Sequence, residues 1–109
     1  MSLTEKTCVP CQGGVAPMDR EQAEGMLAQV PEWSLDADAR MIYRRFKFRN
    51  FIDALAFVNR VTEVAEAEDH HPDILFGYGY AEVQIQTHKI EGLHENDFIL
   101  AAKVDALGA

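Results

Sequence analysis

"NFIDALAFVNRVTEVAEAEDHHP", from Asn50 to Pro72, is the stretch from which the rest of the chain can be placed. Asn50 has the short polar side chain that caps a helix N-terminus. Phe51, Ala54, Leu55, Val58, Val61, Thr62 and Ala65 then recur at helical spacing and form a core stripe, which Ile52, Phe57 and Val64 widen. Pro72 cannot extend the helix and pushes His71 out of the α region. The stretch predicts one long helix with a histidine pair where it unwinds.

On the N-terminal side, "EWSLDADARMIYRRFKFRNF" reads as a hairpin: Trp33 and Leu35 on a short strand, "DADA" as the turn, Met41 to Phe48 as the second strand. Ile42, Phe46 and Phe48 share one face, and Arg44 interrupts it. Earlier still, Asp19 and Gln22 have the spacing of a capping box, so a helix is expected to run to Gln29, before Pro31. On the C-terminal side a short strand around Ile74 to Phe76 is broken at Gly77 and Gly79. "AEVQIQTH" then alternates, with Val83, Ile85 and Thr87 inward and His88 on the polar side. A closing helix is expected over Asn96 to Ala106. The order α-β-β-α-β-β-α predicts an α+β fold, a single antiparallel four-stranded sheet with three helices packed on one face. Such a sheet has unpaired edges, which favours a homodimer or homotetramer.

The 109 residues suit one domain, with residues 1–18 as an irregular arm broken by Pro10, Gly13, Gly14 and Pro17, and residues 19–109 as the folded part. Eighteen acidic against 10 basic residues give a formal charge of −8, which excludes a phosphate-neutralising nucleic-acid binder. Arg40, Arg44, Arg45, Lys47 and Arg49 form the one basic strip, either a solvated strand face or a contact for an anion or partner. No apolar run approaches the roughly 18 residues that cross a bilayer, and the N-terminus lacks a secretory h-region, so no membrane association and a cytoplasmic location are expected. Cys8 and Cys11 form a lone C-x-x-C in the arm, read either as reduced thiols without catalytic duty or as a redox or intermolecular metal site.

Histidine changes charge near neutral pH, so a pair at an element boundary points to proton chemistry. Glu66 and His70 are four apart and would share a helix face, where the carboxylate would orient the imidazole and favour its charged form. His88 follows a hairpin able to return it to the helix end, and Asp97 falls in the first turn of the last helix.

The pattern Glu66-x3-His70-His71-Pro72, followed by Tyr78, His88 and Asp97, closely resembles the signature of the pterin-4a-carbinolamine dehydratases. The resemblance extends through Trp33, "FKFRNFIDALAFVNRVTEVAE", "HHPDI", Thr87–His88 and "GLHENDF", from about residue 19 to the C-terminus. It implies loss of water from a 4a-hydroxytetrahydropterin to give the quinonoid dihydropterin, with no metal and no organic cofactor. It implies His70, polarised by Glu66, and His88 as acid–base groups, His71 as a substrate holder and Asp97 as a hydrogen-bonding support. Tyr78 and Trp33 are then pterin contacts or core aromatics. A link to an aromatic amino acid hydroxylase is also implied. Proteins resembling this family further act without chemistry, as dimerisation cofactors for transcription factors or as assembly chaperones.

Other readings of the same residues are a dipole-favoured histidine pair at a helix C-terminus, and a zinc site built from His70, His71, His88 and Asp97. Two positions depart from the family pattern. His94 stands where Ser or Thr is common, so Glu95 or Asn96 is expected to take over the cap of the last helix. Glu91 stands where glycine is frequent.

Overall fold

Asn50 starts the longest helix as expected: its side-chain oxygen accepts from the Asp53 N–H at 2.8 Å. In a computed structural model that describes residues 2–9 and 15–108, this helix, α2, spans Phe51–Glu68 and follows α1 (Arg20–Leu27), β1 (Ser34–Leu35) and β2 (Ile42–Lys47). After it come β3 (Asp73–Gly77), β4 (Tyr80–Ile85) and α3 (Glu95–Asp105). The Asp19 and Gln22 side chains bond each other's backbone N–H groups at 2.8 and 2.9 Å, completing the capping box of α1. That helix stops at Leu27, short of Gln29, because the N–H groups of Gln29 and Val30 close tighter three-residue turns onto Met26 and Leu27.

The four strands form one antiparallel sheet in the order β1-β2-β4-β3. Its register sets Ile42 opposite Ile85 and Phe46 opposite Ala81, so Ile42, Phe46, Ala81, Val83 and Ile85 all bury against the helices. Tyr43, Arg45, Lys47, Glu82 and Gln84 alternate onto the other face. Arg44 breaks this pattern and is nonetheless satisfied. Its Nη1 donates to Asp105 Oδ1 at 2.7 Å, its guanidinium lies 4.3 Å from the Phe46 ring centre, and the same Asp105 oxygen accepts from Trp33 Nε1 at 2.8 Å.

The buried face of α2 is rotated from the expected stripe. Ala54, Phe57, Val61 and Ala65 are buried, whereas Phe51 is 44% exposed, Ile52 68% exposed, and Thr62 faces solvent. The large Phe57 ring decides this, since its centroid packs 4.5 Å from Phe46 and 5.3 Å from Phe48. α3 lies in the interior through its apolar middle, with Phe98 to Ala102 and Val104 buried. Among the described residues, no helix is long and apolar enough to cross a membrane.

Two chain ends meet at one side of this sandwich. Asp69 takes a left-handed conformation, φ 51°, and turns the chain out of α2. At the end of β4, Thr87 bridges to Gly92 across a short 3-10 turn, His88–Ile90. Glu91 closes that turn with φ 52°, the backbone region that favours the glycine expected there.

Candidate active site

A cleft of about 280 Å³ opens between the end of α2, the end of β4 and the start of α3, and His70, His71 and His88 all line it. The hairpin thus returns His88 to the end of α2. A larger groove of about 470 Å³ lies elsewhere, beside Arg20, Arg40 and Glu91, and no histidine lines it. Size favours the groove, but the proton-carrying side chains are in the cleft.

His70 is anchored by Asp97: its Nε2 lies 2.6 Å from Oδ1 of the carboxylate. Asp97 is fully buried, and its Oδ2 accepts from the Thr87 hydroxyl at 2.8 Å and from the His94 N–H at 2.9 Å. One side chain of α3 thus ties together the chain after α2, the chain after β4, and its own helix start. A carboxylate only accepts, so the proton on the neutral His70 ring sits on Nε2 and the lone pair on Nδ1.

The expected pairing of Glu66 with His70 is not formed. Glu66 bonds His71 Nε2 instead, in an exposed contact. The left-handed turn at Asp69 is the reason, because it takes His70 off the helical path that would have set it one turn above Glu66. His88 lies 3.7 Å from Asp73 at the start of β3, with both side chains exposed.

Tyr78 and Trp33 are not brought to this cleft. Trp33 is 4% exposed, packed edge-on to Phe46 in the core and held by Asp105. Tyr78 is 75% exposed in the β3–β4 turn, at the far end of β3, a strand about 16 Å long. The cap of α3 also differs from expectation: His94 itself caps, its Nδ1 accepting from the Asn96 N–H at 3.0 Å, while Asp97 returns the bond to the His94 N–H. Among the described residues, no three His, Cys, Asp or Glu side chains converge as a metal site requires.

The family model described as pterin 4 alpha carbinolamine dehydratase matches residues 16–107. The chain belongs to that family. A Halorhodospira halophila protein provisionally named pterin-4-alpha-carbinolamine dehydratase is 93% identical over 109 residues, 100% of each chain. One of the same provisional name from Methylococcus capsulatus is 57% identical over 108 residues, 99% of this chain and 95% of that one. A solved transcriptional coactivator/pterin dehydratase from Brucella melitensis superposes with a TM-score of 0.78 at 28% identity, covering 85% of this chain and 99% of that one. A pterin dehydratase-like protein identified as a RuBisCO assembly factor in the alpha-carboxysome has a TM-score of 0.61 at 26% identity, covering 72% of this chain and 90% of that one.

Two cleft residues of this family member escaped the sequence reading as site residues. Thr87 read as an inward strand position within a stretch that carries the resemblance, although its hydroxyl holds Asp97. Asn96 read as a helix start, yet it is buried and lines the cleft. An asparagine next to an aspartate in a first helical turn was the signal available. Of the C-x-x-C pair, Cys11 lies outside the described residues. The Cys8 thiol is pushed up to about 12 by burial and by the neighbouring Glu68 carboxylate, and so stays protonated at neutral pH.

Proposed function

We propose that this chain is a hydro-lyase that removes water from a 4a-hydroxytetrahydropterin by histidine acid–base catalysis. The observation that carries this reading is the cleft itself, with three imidazoles around one hollow and one of them fixed by a buried carboxylate. Family membership supplies the substrate class. In the reaction a ring-nitrogen N–H bond and the C4a–O bond break, a C=N bond forms, and the hydroxyl leaves as water with no change of oxidation state. One group must accept the nitrogen proton and another must donate to the hydroxyl, each step worth on the order of 10²–10⁴ in rate. His70 is the base in this scheme, because Asp97 holds its proton on Nε2 and leaves Nδ1 to accept. His88, which lines the same cleft from the end of β4, is the donor, and the exposed His71–Glu66 pair holds the pterin.

Tetrahydropterin recycling is the setting this reaction serves, with an aromatic amino acid hydroxylase as the source of substrate. A homo-oligomer is favoured by the two sheet edges, β1 and β3, and by exposed Leu75 and Ile52. The likeness to a RuBisCO assembly factor favours a second reading, a chaperone or dimerisation cofactor without chemistry. Such a role needs neither the imidazoles nor the buried carboxylate. The test is water loss from freshly generated 4a-hydroxytetrahydropterin, followed by absorbance. The expected result is a rate that rises in proportion to protein concentration; a rate equal to the protein-free control overturns the enzymatic reading.

A further inference from the structure

The arm before α1 reaches the cleft. Leu3 is buried in the main core, Lys6 Nζ pairs with Glu95 at 2.7 Å, and the Cys8 N–H donates to Glu68 at 2.8 Å. Val9 is held at two points by one side chain: Asn96 Oδ1 accepts from the Val9 N–H at 3.0 Å, and Asn96 Nδ2 donates to the Val9 carbonyl at 2.7 Å. Asn96 is 2% exposed and directly precedes Asp97, the anchor of His70, so the clasp shares a helical turn with the proton machinery. Val9 is 56% exposed, lines the cleft, and is, among the described residues that line it, the one hydrocarbon side chain. The family model begins at residue 16, so this wall lies outside the part of the chain that defines the family.

We propose that the arm at Val9 is a wall of the substrate cleft, and that Val9, clasped by Asn96, determines how tightly a pterin ring is gripped there. The inference rests on the proposed pterin substrate. A planar fused ring binds best where polar groups fix its edge and a hydrocarbon surface covers its face. The other lining residues named above are polar or ionisable, and Val9 supplies the cover. Asn96 acts as a positioning residue, because it fixes the Val9 backbone.

The test compares wild type, Val9→Ser and Asn96→Ala in carbinolamine kinetics and in calorimetric binding of 7,8-dihydropterin. Val9→Ser keeps the backbone clasp and is expected to raise KM and the dihydropterin Kd about tenfold, with less than about a twofold change in kcat. Asn96→Ala loosens the arm at Val9, so trypsin cuts after Lys6 faster, and dihydropterin slows that cut in wild type but not in the variant. KM and Kd unchanged in Val9→Ser, or a tryptic rate in wild type indifferent to dihydropterin, overturns the proposal. Dihydropterin Kd decides the wall even in a protein without turnover, so failure of the dehydratase reading is seen separately. If Asn96→Ala does not fold, Val9→Ser still gives the decisive KM.

Discussion

Asp97 is the residue on which the site turns. A fully buried carboxylate is costly unless each oxygen is hydrogen-bonded, and here His70, Thr87 and the His94 N–H supply three donors. It serves stability and orientation together, and the two are separable by mutation. Asp97→Asn keeps the shape but offers an amide that can donate as well as accept, so His70 is no longer held in one tautomer. The expected outcome is a fall in kcat on the order of 10²-fold, with a stability loss of about 1–3 kcal/mol. Steady-state kinetics and urea denaturation on the same preparation check it. Glu66 shows the opposite case. Its helical spacing to His70 is correct, yet one left-handed residue, Asp69, gives it to His71 instead.

Elements carry the same lesson at their ends. His94 caps α3 through Nδ1, a role in which serine is more usual. His94→Ala is expected to cost about 1 kcal/mol of stability, and His94→Ser to cost close to nothing, because a hydroxyl replaces the lost acceptor. Chemical denaturation of the two variants reads this directly, and equal losses for both would contradict the capping role. The strand alternation in β4 and the caps at Asp19 and Asn50 were legible because each is local, decided by neighbours a few residues away. The rotated face of α2 was not, since it depends on Phe57 meeting Phe46 and Phe48 from another element. In the same way the three histidines were legible as candidates, but the partner of His70 lies 27 residues away in the chain, beyond the reach of any spacing rule.

On the scale of the whole molecule, the arm, α2 and α3 are tied at Glu68. Its carboxylate accepts from the Cys8 N–H at 2.8 Å and from Lys103 at 2.7 Å, and its side chain is 10% exposed. Burial raises the Glu68 pKa, but the Lys103 ammonium and the Cys8 N–H together outweigh it and hold the carboxyl below its ordinary value. A depressed folded-state pKa contributes stability above the unfolded value, and that contribution is lost as pH falls through the folded one. Wild type is therefore expected to melt above Glu68→Gln at neutral pH. The gap should close as pH falls below the ordinary carboxylate value of 4.5. A gap independent of pH over that range would remove Glu68 from the account.

At this scale too, the fold brings the ends of α2 and β4 to one hollow, and the proposed dehydration by paired imidazoles depends on that meeting. The most direct measurement is kcat for carbinolamine dehydration by purified, folded His70→Ala and His88→Ala. Each is predicted to fall by at least about 10²-fold relative to wild type, and His88→Ala, altered at an exposed side chain, to keep the wild-type melting temperature. Turnover at the wild-type rate by either variant would contradict the account.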